Sequence, residues 1–182
     1  MTAPPTGTLR LDALFNLLGV LITFIVVLLA QINPPTDPQI KPAGNLVASA
    51  AWPSGSIDVD LWLGAPGDEG VGFSRKSGKV WSLLRDDLGT SNDATDLNYE
   101  TAFTRGLPDG EYAVNVRCFG CAGFVPVPVD VEVRLATGEL IWRGVVTLVA
   151  DKQERTAVRW MMRDGAVVAG SQGFVFKNVR GV

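Results

Sequence analysis

Val127-Pro128-Val129-Asp130-Val131-Glu132-Val133-Arg134 decides the fold class of most of this chain. Every second residue is valine, and the residues between them are mostly charged. Successive side chains of a strand point to opposite faces, so the run reads as a strand with one buried face and one wet face. The same alternation recurs in Ile57-Asp58-Val59-Asp60-Leu61-Trp62-Leu63 and in Tyr112-Ala113-Val114-Asn115-Val116-Arg117. Residues 140–149 and 156–162 are further strand candidates. Turn signals separate them: Pro66-Gly67, Ser77-Gly78, Pro108-Asp109-Gly110, Thr137-Gly138 and Asp164-Gly165. Short strands at this spacing, with no amphipathic helix between them, predict an all-β domain over residues 46–182, an antiparallel β-sandwich of about eight or nine strands. Its tryptophans (Trp52, Trp62, Trp81, Trp142 and Trp160) read as core.

Composition narrows the function classes. The chain has 182 residues, room for one membrane segment and one domain of ordinary size. A net charge of −3 with interspersed signs leaves no basic footprint for nucleic acid. There is no histidine, which removes Ser-His-Asp triads, imidazole zinc ligands and imidazole proton shuttles. Two cysteines cannot fill a tetrahedral zinc shell, and no phosphate-binding glycine loop is present. An enzyme is not expected.

Outside the strand region lies one long apolar run. From Ala13 to Ala30 only Asn16, Gly19 and Thr23 interrupt it. A helix over residues 11–32 would span roughly 30 Å, the thickness of a bilayer core. A cleaved signal peptide is the competitor, but its apolar region is usually about 7–15 residues and is followed at once by small residues. Here Asn33-Pro34-Pro35 follows, and Ala48-Ser49-Ala50 comes much later. The run therefore reads as an uncleaved anchor behind a short tail, residues 1–10. The proline-rich stretch 33–45, NPPTDPQIKPAGN, reads as an extended connector. Arg10 before the span favours a cytoplasmic N-terminus and an exported C-terminal domain.

Within the span, Asp12, Asn16, Gly19 and Thr23 fall at i, i+4, i+7 and i+11, one face of a 3.6-residue helix. Lipid cannot satisfy polar groups, so such a stripe is expected to meet protein or a water path. Gly19 would let a second helix approach closely. The ordinary reading is Asp12 as an N-cap or an interfacial charge beside Arg10, with Asn16 and Thr23 holding a dimer together. The functional reading is a carboxylate that takes a proton from one side and releases it to the other.

An Asp-led span continuing Leu14-Phe15-Asn16-Leu17-Leu18-Gly19-Val20-Leu21-Ile22-Thr23-Phe24 resembles the B-type subunits of proton-driven membrane motors, the ExbD/TolR and flagellar stator B superfamily. The resemblance covers about the first 35 residues. It implies a bacterial inner-membrane protein, a homodimer of spans inside a ring of A-type channel subunits (of the MotA, ExbB or TolQ kind), and a proton relay at Asp12. The downstream sequence departs from the pattern: it lacks the OmpA-like peptidoglycan-binding domain of flagellar stators and does not match the small ExbD/TolR domain. The envelope load is therefore unspecified, as is the choice of proton or sodium. The DVDLWL, RDDLG, LPDGEY and VPVDVEVR stretches resemble YfaP-like bacterial β-sandwich modules across residues 46–160.

Two further features carry chemistry. Asp58 and Asp60 share a strand face, while Asp86, Asp87, Asn92, Asp93 and Asp96 crowd the following loop. A solvated turn held by Asx-turns is the ordinary reading. A Ca²⁺ site drawing on Asp58, Asp60, Asp86, Asp87 and Asp93 is the alternative, since oxygen ligands suit that ion. Cys118 and Cys121 flank Phe119-Gly120 at an expected hairpin tip. With no helix after them a redox motif is not expected; in an exported domain they read as a small structural disulfide, with free thiols the alternative. Two functions compete: a motor subunit that needs no cofactor, and an inert membrane-anchored module that binds a glycan or protein.

Overall fold

The computed structural model describes residues 6–32, 44–89 and 96–180, and the chain divides into two compact units, Met1–Ile40 and Lys41–Val182. The first holds one helix, α1 (Thr6–Ile32). It begins before the start of the apolar run, which puts Asp12 in its second turn and not at an N-cap, and it stops at the residue ahead of Asn33-Pro34-Pro35, where proline geometry disfavours helix. Within it Arg10–Leu29 is long and apolar enough to cross a membrane, as a single-pass anchor or a signal sequence would be. Every side chain of residues 10–29 is exposed within the chain.

The second unit is a helix-free β-sandwich among the described residues. Its strands are β1 (Leu46–Trp52), β2 (Asp58–Gly64), β3 (Trp81–Arg85), β4 (Asn98–Thr104), β5 (Gly110–Gly120), β6 (Val127–Leu135), β7 (Leu140–Leu148), β8 (Glu154–Arg163) and β9 (Ala166–Val167). One sheet has the order β3-β4-β1-β6-β7, the other β2-β5-β8-β9, and every ladder is antiparallel. In β6 the valines are buried while Pro128 and Asp130 are exposed, as alternation requires. The β5–β6 connection is not the expected hairpin: it carries the chain from the four-stranded sheet to the five-stranded one. Cys118 and Cys121 form a disulfide at that crossing, with Cα atoms 5.6 Å apart.

The core lies between the sheets. Trp81, Trp160 and Tyr112 are fully buried at its centre, Tyr112 stacking on Trp160 at 5.5 Å and meeting Trp81 edge-on at 6.4 Å. The Tyr112 hydroxyl donates to the Pro108 carbonyl four residues upstream, 3.0 Å away. That is the tyrosine corner found in Greek-key sandwiches, and it explains the LPDGEY turn. Burial, reinforced by Asp109 and Asp68, pushes this phenol up to about 12.

Strand β1 enters the structure through Gly44 and Asn45. Asn45 donates its N–H to the Thr104 carbonyl (3.1 Å), accepts Gly106 N–H on Oδ1 (2.8 Å) and accepts Ala136 N–H on its carbonyl (2.8 Å). A Cβ at Gly44 would stand 2.4 Å from the Thr104 oxygen, so only glycine fits that close approach. Residues 177–179 cover the outer face of the four-stranded sheet. Asn115 Nδ2 donates to the Lys177 carbonyl (2.8 Å), Lys177 N–H donates to Thr156 Oγ1 (2.9 Å), and Val179 packs with Trp62 and Ala113.

Candidate functional site

On α1, Asp12, Asn16, Gly19 and Thr23 lie along one helix face, as their spacing requires. A shallow groove runs along it, lined by Phe15, Asn16, Gly19, Val20, Thr23, Phe24 and Val27. Its floor is Gly19, where an added Cβ would meet nothing within 4 Å. No packing inside this chain requires glycine there. Thr23 Oγ1 donates to the Gly19 carbonyl at 2.8 Å, so its proton is satisfied within the helix. Asp12 and Asn16 are the residues of the stripe whose chemistry lipid cannot meet.

The second constellation forms where the two sheets meet along one side of the sandwich. Strand β2 is the edge of its sheet, and β3 and β4 are the outermost pair of the other. Val59, Leu61 and Leu63 of β2 point into the core, so Asp60 and Trp62 take the opposite face, yet both are buried there. Strand β4 inverts the usual alternation: its buried residues are Asn98, Glu100, Ala102 and Thr104, while Tyr99 is exposed. Each inward polar group has a backbone task. Asn98 Nδ2 donates to the Pro53 and Gly55 carbonyls (2.9 and 3.0 Å). Thr104 Oγ1 accepts Leu46 N–H (3.0 Å), and Glu100 Oε2 accepts Leu61 N–H on the open edge of β2 (2.7 Å).

Asp60, Asp86 and Glu100 each place a carboxylate oxygen within 4.8 Å of the other two. Asp60 and Glu100 are 3 % and 0 % exposed. Asp60 Oδ2 and Asp86 Oδ1 are buried without a hydrogen-bond partner. Two cations pair with the cluster: Arg117 Nη1 is 4.0 Å from Asp60 Oδ2, and Lys76 Nζ is 2.9 Å from Asp86 Oδ2. Burial, then the charge of Asp58, pushes Asp60 up to about 7 against the pull of Arg117. Burial also holds Glu100 well above the usual carboxylate range; the Leu61 N–H opposes this, and Asp60 and Asp86 add to it. Asp58 is raised by burial and by Asp86 and Asp87, with Lys152 opposing. Burial thus favours the protonated forms of Asp60 and Glu100, and the three carboxylates together have the chemistry to share a cation.

The expected calcium ligands divide. Asp60 and Asp86 converge, and Asp58 lies near enough to raise Asp60. Asp87 is engaged in shaping its loop: Oδ1 accepts Gly89 N–H, while Oδ2 accepts Tyr99 N–H and the Arg85 guanidinium. Asp96 is exposed, and Asn92 and Asp93 lie outside the described residues. Glu100 was not among the expected ligands, because Asn-Tyr-Glu-Thr-Ala-Phe-Thr puts its aromatics on the outer face and gives no apolar alternation to locate the strand. No protein-family model, curated protein or solved structure matches the chain.

Proposed function

We propose that this chain is the B-type subunit of a proton-motive-force-driven motor in a bacterial inner membrane. In this reading the N-terminus is cytoplasmic, the sandwich is periplasmic, and two spans sit within a ring of A-type channel subunits. Asp12 carries the proton, and the sandwich transmits force to an envelope load. The observation that supports it is the stripe of α1: a carboxylate, an amide and an open glycine share one face of a helix whose other faces suit lipid. A proton crossing the membrane field releases about 2.3 kcal/mol per 100 mV, enough to bias the rotation or tilt of a helix against its partner.

The test is Asp12→Asn in cells that also carry a multi-span A-type partner, with proton flux as the readout. Asparagine keeps the size and some of the hydrogen bonding of aspartate but cannot cycle a proton. The motor reading expects intact assembly and abolished flux. If Asp12 is only an interfacial charge beside Arg10, its ionisation drives nothing, and flux equal to wild type in Asp12→Asn would leave an inert anchored binding module as the better account.

A further inference from the structure

We infer that Asp60, Asp86 and Glu100 form a divalent-cation site, best matched to Ca²⁺, which ties the edge strand of one sheet to the outer pair of the other. The three carboxylates come from separate elements: β2, the stretch after β3, and β4. Two of their oxygens, Asp60 Oδ2 and Asp86 Oδ1, are buried without a hydrogen bond. Orphaned buried acceptors of this kind call for a missing partner. Arg117 does not supply it, because its Nη1 is 4.0 Å away, beyond hydrogen-bond reach, and the Trp62 indole N–H, whose pull on Asp60 is weaker still, is itself left without a hydrogen bond.

Size selects the ion. Ca²⁺ binds oxygen at about 2.3–2.6 Å, so two ligands of one ion stand at most about 5 Å apart. Oxygens that all lie within 4.8 Å of one another meet that limit without moving a strand. Mg²⁺ demands strict octahedral geometry and sheds its waters reluctantly, so three carboxylates on separate elements of a largely buried site suit it less well. Soft metals are disfavoured by an all-oxygen donor set. The Leu61 N–H on Glu100 Oε2 fixes that carboxylate as an outer hydrogen bond fixes a metal ligand. Asp86, with its side chain 14 % exposed, provides the path by which the ion enters and waters complete its shell.

The experiment uses the full chain in detergent at pH 8, where protons compete least. Tb³⁺ is the probe, excited through tryptophan, since Trp62 is two residues from Asp60. We expect terbium emission displaced by Ca²⁺ far better than by Mg²⁺, and a Tm raised by several degrees in millimolar Ca²⁺ through mass action. Asp86→Asn and Asp60→Asn should each weaken binding tenfold or more. Asp130→Asn, on the exposed face of β6, should not. Should Asp60→Asn fail to fold, Asp86→Asn decides, because its side chain reaches solvent. No terbium emission and no Ca²⁺-dependent Tm shift in the wild-type chain would overturn the site, as would unchanged affinity in Asp86→Asn.

Discussion

Glu100 of one sheet accepts the backbone N–H of Leu61 at the open edge of the other, at 2.7 Å and fully out of water. A sandwich edge strand must leave its outward N–H groups to solvent or cap them; here a carboxyl group from the facing sheet provides the cap. Glu100→Ala would orphan that N–H and open a cavity, costing about 2–4 kcal/mol. Glu100→Gln keeps an acceptor in place and imitates the protonated acid, so it should cost less than about 1 kcal/mol at neutral pH. Urea denaturation of the two variants checks the ordering, and equal losses would refute it.

The same burial gives stability an unusual pH dependence. Asp60 titrates near 7 in the fold against 3.8 ordinarily, and Glu100 is also raised. Between those values the folded chain binds more protons than the unfolded chain, so stability falls as pH rises through the window. Asp58, Asp86, Asp87, Arg117, Lys76 and Lys152 set the local field. For Glu111 burial opposes the shift, but the Lys177 and Arg159 ion pairs outweigh it and hold the group low; Glu132 is held low mainly by its hydrogen bond to Arg134. Their contribution disappears only on acidification below the ordinary glutamate range. Without divalent cations, Tm should therefore peak near about pH 5 and drop by roughly 5 °C or more by pH 8. Glu100→Gln should flatten the slope. Calorimetry in EDTA across this range is the measurement, and a Tm that rises from pH 5 to 8 would contradict it.

Asp68 organises the entry to β3. Its carboxylate accepts the backbone N–H groups of Lys79 (2.7 Å), Val80 (3.0 Å) and Trp81 (2.9 Å). Gly78 is glycine because a Cβ there would lie 2.2 Å from Asp68 Oδ1. Asp68→Ala should cost about 2–3 kcal/mol, since charge-assisted bonds to a turn are lost together. Asp68→Asn should fall between, as an amide offers one acceptor oxygen where the carboxylate offers two. Hydrogen exchange at Val80 and Trp81 reports the loss directly.

Gly19 separates packing within the chain from packing against a partner. Gly19→Leu meets no obstacle inside α1 and should favour the isolated helix by about 1 kcal/mol. It also fills the groove between Asn16 and Thr23. Helicity in micelles should hold or rise, while on the motor reading proposed above co-purification with an A-type partner and self-association should be lost. Unimpaired assembly would show that the groove faces lipid.

What the sequence made legible follows from contrast between neighbours. β2, β5, β6, β7 and β8 were expected within a few residues of their bounds, because valine and leucine alternate there with polar groups or aromatics. β1 was not: Leu46-Val47-Ala48-Ser49-Ala50-Ala51-Trp52 is apolar or small on both faces, as suits a strand flanked on both sides. β4 hid for the opposite reason, carrying its polar residues inward. The acidic loop was visible as a cluster, yet which carboxylates converge depends on how two sheets abut, and residue spacing does not encode that. Glu100 carried no local mark of its role. The helix stripe, by contrast, needed only the 3.6-residue period.

Strand β1 is the first strand after the residue 33–43 stretch, and it lies at the centre of its sheet, paired with β4 on one side and β6 on the other. Asn45 locks its leading end to the turns at Gly106 and Ala136. A pull arriving along the chain from the helix would therefore load two hydrogen-bonded ladders in shear at once. An edge strand would instead unzip, one rung at a time. Under such a pull, central placement would make β1 a mechanical clamp, with the tensile load shared across the five-stranded sheet before any single bond carried it alone.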